Sequence, residues 1–165
     1  MNDNNNVSLI SLVDNFLSGR ISNDEEVDVE EVLSIYSFIT HDKPKLIEVA
    51  LEVIDKQDNH RIIQVVSEST NRSFHLVQGS RAQKYLILPN YCPCQSFSHL
   101  FNHITEPAYT GNATRRTVTQ SLCKHMLAVK MATSLNRIDK RSVSDDKFME
   151  IFKSSQREDT QATSM

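Results

Sequence analysis

Apolar positions change their spacing twice along this chain, and the changes divide it. Val7, Ile10, Val13, Phe16 and Leu17 recur at three- and four-residue intervals, the spacing that lines one side of an α-helix. Gly19 is the expected stop. Residues 22–40 read as a second helix. Acidic residues crowd its start, where the helix dipole favours them. Val29, Val32, Leu33, Tyr36 and Ile39 form one face, which Ile35 and Phe38 broaden. Residues 41–56 read as a third helix, with Asp42 as N-cap and Pro44 in the first turn. Its apolar set is also broad: Leu46, Ile47, Val49, Ala50, Leu51, Val53 and Ile54. Such breadth means core on both sides or, less often, a partner's surface, for which Val32, Leu33, Tyr36 and Phe38 are the candidate docking face.

Past residue 58 the helical spacing gives way to short runs rich in β-branched and aromatic residues, at 61–66, 73–78 and 84–88, separated by polar stretches. That pattern predicts a three-stranded antiparallel meander. Helical spacing resumes at 95–104, with Phe97, Leu100, Phe101 and Ile104 apolar. A polar loop containing Pro107 and Gly111 covers 105–121. A helix is expected over 122–135, with Leu122, Met126 and Val129 on one side. An amphipathic helix closes the chain at 142–153, with Ser144 as N-cap and Phe148, Ile151 and Phe152 apolar. The expected organisation is therefore α+β: a disordered start at 1–6, helices over 7–58, the meander plus the cysteine-bearing segment over 59–135, a C-terminal helix region over 136–153 and a disordered tail over 154–165.

Composition narrows the class. A chain of 165 residues with 39% hydrophobic and 24% charged residues suits one soluble domain. No apolar run approaches a membrane span. The start lacks the basic stretch of a secretory signal. Three cysteines cannot all pair within the chain, so a reducing, intracellular compartment is expected, where clustered cysteines serve as metal ligands or catalytic groups.

All three cysteines enter one pattern. Cys92 and Cys94 flank Pro93, and Cys123 precedes His125 by two, giving C-x-C-x28-C-x-H. Cys and His are the donors zinc prefers, and four of them close a tetrahedral structural site. Cys92-Pro93-Cys94 falls between a strand and a helix, where a stiff turn can aim both sulfurs at one point. Positions 123 and 125 converge only if Cys123 stands at the helix start, since residues two apart within a helix face nearly opposite ways. Other uses of these residues stay open. A redox pair is disfavoured because C-x-C closes a tight ring. A Cys123–His125 nucleophilic dyad lacks a visible orienting group. His99 and His103, four apart on one helical face, form with Cys92 and Cys94 a rival Cys₂His₂ set that would leave Cys123 and His125 idle. No P-loop is present.

Charge is unevenly spread. Residues 1–60 carry 4 Lys/Arg against 13 Asp/Glu, and residues 61–141 carry 11 against 3. The basic middle suits phosphates, or it neutralises the acidic first part within the fold.

The residues Cys92-Pro93-Cys94 and Cys123-x-His125-x-x-Ala128 resemble a SWIM zinc finger. The helical first half, the meander and the final "SVSDDKFMEIF" segment extend the likeness from about residue 29 to about residue 153, to the SWIM-domain subunit of the Shu complex. The long gap between ligand pairs departs from that pattern and suggests an inserted loop. The resemblance implies that Cys92, Cys94, Cys123 and His125 hold Zn²⁺, that Ala128 is a packing position, and that no catalytic residue is present. It also implies a nuclear protein that pairs with a RecA-like recombinase paralogue and promotes recombinase filaments on single-stranded DNA during homologous recombination. A direct DNA-binding SWIM module of transposase-like or transcription-related type is the alternative, on the strength of Arg115, Arg116, Lys124, Lys130, Arg137, Lys140 and Arg141. A ligase-like zinc adaptor is disfavoured, because only four ligands are present.

Overall fold

A computed structural model describes residues 9–22, 27–40, 43, 45–55, 62–79, 83–99 and 122–161. The expected cap Asp42 and first-turn Pro44, the loop at 105–121, and His103, Arg115 and Arg116 lie outside the described residues.

Three helices come first: α1 (Leu9–Ser22), α2 (Val29–Ile39) and α3 (Lys45–Asp55). Gly19 does not stop α1. A glycine inside a helix costs about 1 kcal/mol, and tertiary contacts next to it oppose that cost. Leu17 is buried, and Arg20 grips both carboxylate oxygens of Glu31 on α2 at 2.6 and 2.7 Å. Helix α2 starts later than its acidic run suggests, because Asp28 caps it by accepting from the Glu30 N–H.

The sheet differs from the expected one. Strands β1 (Ile62–Ser67), β2 (Ser73–Gln78) and β3 (Lys84–Ile87) pair antiparallel in chain order, but a fourth strand, β4 (Asp139–Val143), lies parallel against β1. The order is β3-β2-β1-β4, a four-stranded mixed sheet rather than a three-stranded antiparallel one. The sequence "DKRSV" carries no period-2 apolar signal, because an edge strand with exposed side chains needs none.

Between β3 and β4 runs α4 (Lys124–Ser134), and after β4 comes α5 (Asp145–Gln161). The strand pairing makes β3 and β4 parallel to each other, so α4 is the helix of a crossover from one sheet edge to the other. Register sorts the strand side chains into two cores. Ile62 opposite Val77, with Tyr85 and Ile87, belongs to the core on the α4 side. Val65 opposite Phe74, and Ile63 opposite Leu76, face Phe148, Ile151 and Phe152 of α5. Phe148 and Phe152 both pack on the Phe74 ring, with centroids 4.8 and 5.7 Å away. Helix α5 continues to Gln161, past the expected boundary at 153. Ser155 beyond that boundary is buried and donates to the Ile151 carbonyl.

Helix α4 was expected to be buried along one side, but it is buried nearly all round. It packs against α3, α1 and α2 on one side and the sheet on the other. Eight of its eleven residues are buried. Ala128 and Ala132 on α4 and Ala50 on α3 are fully buried, and such small side chains permit close helix approach. The helix ends in a Schellman motif. Asn136 takes the left-handed conformation (φ 51°), its N–H bonds to the Thr133 carbonyl, and the Arg137 N–H bonds back to Ala132 at 2.8 Å.

The acidic first part and basic middle do meet in the fold. Asp14 pairs with Lys130 and accepts from the Tyr36 hydroxyl, which also contacts Ser134. Asp55 pairs more loosely with Arg137 at 3.6 Å. Tyr36 and Val32 are fully buried in this core, so they are not part of a docking face; of the four candidates Phe38 alone is well exposed, at 73%.

Candidate metal centre

Local chain geometry explains how four distant donors meet. After β3, Leu88 and Tyr91 exchange backbone hydrogen bonds at 3.0 and 3.2 Å across Pro89-Asn90. That tight turn reverses the chain and delivers Cys92 to the end of β3. Cys94 then opens a helical turn at 95–99. Its carbonyl accepts from the Phe97 and Ser98 N–H groups, and its sulfur accepts from Phe97 N–H at 3.4 Å. Cys94 therefore occupies an N-cap position with sulfur as the capping acceptor.

Cys123 takes the N-cap position of α4, but through its backbone alone, without a side-chain cap bond. Its backbone is extended (φ −91°, ψ 166°), while its carbonyl already accepts from Leu127 N–H. Cys123 thus lies outside the helix and His125 inside its first turn, which removes the objection that residues two apart diverge. The crossover supplies the rest. A helix joining two parallel strands starts near the carboxyl end of the first strand, so the α4 N-terminus arrives beside the turn that carries Cys92 and Cys94.

The four donor atoms lie within 4.8 Å of one another, and all four residues are buried. Cys92 Sγ and His125 Nδ1 are 3.8 Å apart. A tetrahedral zinc ion with bonds of about 2.0–2.3 Å spaces its donors roughly 3.5–3.8 Å apart. A contraction of about 1 Å at the widest pair would therefore close the site. The thiols share a dry space in which they cannot all ionise. Hydrogen bonds from Cys123 and Cys92 hold Cys94 far below the ordinary thiol range, with His125 and the Phe97 N–H assisting. Those same contacts, with burial, push Cys92 far up. Cys123 is pulled down by Cys92, but the Cys94 anion and burial outweigh that and push it up to about 11. One thiolate at a helix N-terminus is stable alone; two more require a cation among them. The cluster can hold a metal ion, and its Cys₃His donors suit zinc.

Among the described residues no other group of metal-binding side chains gathers. His99 is exposed and does not join the cluster. Ala128, the expected packing position, is fully buried one turn beyond Cys123. Two neighbours were not foreseen. Tyr85 stacks on His125, and Phe97 meets Tyr91 edge-on at 5.8 Å. The period-2 register of β3 could have put Tyr85 on the α4 side, but not over the histidine.

Zinc finger SWIM domain-containing protein 7 of Danio rerio is 29% identical over 103 residues. The SWIM-type resemblance is borne out. The aligned stretch covers 62% of this chain and 64% of that protein, a little under two thirds of the relative's length. No protein-family model matches the chain, and no solved structure matches it.

Proposed function

We propose that the chain is a non-enzymatic, zinc-binding subunit of a nuclear, Shu-like complex. With a RecA-like recombinase paralogue it would promote assembly or stability of recombinase filaments on single-stranded DNA during homologous recombination. The observation that carries the zinc part is the convergence of Cys92, Cys94, Cys123 and His125 in one buried cluster. Similarity to a SWIM-domain relative supports the SWIM-type reading, and the complex, partner and nuclear location are carried over from that resemblance.

Zinc held by four protein donors leaves no open position for substrate, so its contribution is to stability and shape. The residues tie the end of β3 to the start of α4. Because α4 packs on both the sheet and the N-terminal helices, a brace at its first turn holds both layers together. Loss of a ligand should loosen the protein and any surface a partner uses. The test is co-purification of the chain with a recombinase paralogue, with metal analysis, for wild type and Cys123→Ser. Zinc-loaded wild type should be captured and the zinc-free variant lost. Capture that survives zinc loss would overturn the coupling, and no capture of the loaded protein would overturn the complex.

The direct DNA-binding alternative gains little from the fold, because Lys130, Arg137 and Arg141 each pair with an aspartate. Tight binding of single-stranded DNA by the isolated chain, with a steep salt slope, would restore it.

A further inference from the structure

The His125 imidazole is held from outside the donor set. Tyr85 on β3 faces the α4 side of the sheet, opposite Val77. Its ring lies on the His125 ring with centroids 4.3 Å apart and planes 25° apart. His125 directs Nδ1 toward Cys92 Sγ, so a stack on the ring face opposes the rotation that would swing this nitrogen away. Two features fix the tyrosine. Its hydroxyl donates to Gln83 Oε1 at 3.0 Å. At Gly79, just past β2, an added Cβ would come within 2.8 Å of Tyr85 Cε2. The Gly79 N–H bonds to the Gln83 carbonyl at 2.7 Å, so the backbone there is tied in place and the tyrosine ring would have to shift.

We propose that Tyr85 is a positioning residue for the metal ligand His125, and that Gly79 is the gap that lets its ring lie there. The inference rests on the zinc reading above. Stacking restricts the imidazole before the metal arrives, and an imidazole made electron-poor by a bound cation gains from a neighbouring π face. Groups that orient a ligand histidine typically change metal affinity about 10–100-fold.

The test uses the full chain with Tyr85→Phe, Tyr85→Leu, Gly79→Ala and, for reference, His125→Ala. Zinc affinity is measured by competition with a chromophoric chelator, and ligation by the absorption of the Co²⁺-substituted protein. Tyr85→Leu should weaken binding about 10-fold or more. Its cobalt ligand-field bands should move toward those of His125→Ala, with the thiolate charge-transfer band retained. Gly79→Ala should move the same bands, and Tyr85→Phe, which keeps the stack but loses the Gln83 bond, should fall between wild type and Tyr85→Leu. If Tyr85→Leu does not fold, Gly79→Ala carries the test. Wild-type spectra and affinity in both Tyr85→Leu and Gly79→Ala would overturn the proposal. A wild-type chain that takes up neither metal would instead overturn the zinc reading on which it stands.

Discussion

Stripping the metal should lower the melting temperature by about 12 °C without abolishing the fold. The core on the α4 side extends well beyond the four ligands, into Leu17, Val32, Tyr36 and Val77, so folding does not depend on the site alone. The effect is then one of linkage. At free zinc about 1,000 times the dissociation constant, a ligand that binds only the folded state adds about 4 kcal/mol. Unfolding entropy near 2.1 cal/mol/K per residue gives about 350 cal/mol/K for a chain of 165 residues. The quotient is about 12 °C. Circular dichroism melts of the as-purified protein, of the chelated protein and of the chelated protein after zinc is restored would measure it. His99→Ala should melt like wild type, with full metal content. Cys123→Ser should melt like the chelated protein. A melting point that stays fixed after verified metal removal would refute the reasoning. Full zinc in Cys123→Ser together with none in His99→Ala would show that the Cys₂His₂ set binds instead.

Leu127→Ala, at a fully buried position on α4, should cost about 3 kcal/mol in urea unfolding, the usual size of a buried leucine cavity. Asn136→Val should cost about 1–2 kcal/mol by the same assay, since a β-branched residue resists the left-handed turn that ends α4, whereas Asn136→Gly should be near neutral. Burial, aided by Lys130, lowers His75 from 6.5 to about 4, so the unfolded chain binds the extra proton between those values. Stability from this group is full above pH 6.5 and falls as pH drops toward 4; His75→Leu should flatten that part of the pH–stability curve relative to wild type.

Helices α1, α2 and α3 and strands β1, β2 and β3 were evident from local pattern, because each has an apolar period set by its own backbone geometry. Strand β4 left no such trace. Its residues are mostly exposed, and its place is set by hydrogen bonds to β1, more than seventy residues away. Gly19 looked like a helix stop because its low propensity is local, while the Arg20–Glu31 grip that opposes it is not. Tyr36 looked like surface for a similar reason. Its hydroxyl partners, Asp14 and Ser134, come from other helices, and only with them in place can a tyrosine be buried whole.

The candidate site divides along the same line. Residue type and spacing were enough to single out Cys92, Cys94, Cys123 and His125, because a thiol and imidazole set with one shared use is rare and chemically specific. Spacing could not say whether Cys123 and His125 point to one place. That depended on Cys123 being the extended cap of α4 and not a member of it, and on a crossover that carries the helix start back to the end of β3. Nor could spacing supply Tyr85, whose place over His125 is set by strand register and by the empty position at Gly79. Donor chemistry belongs to individual residues and survives in the linear order; convergence, burial and support belong to contacts between segments far apart in that order.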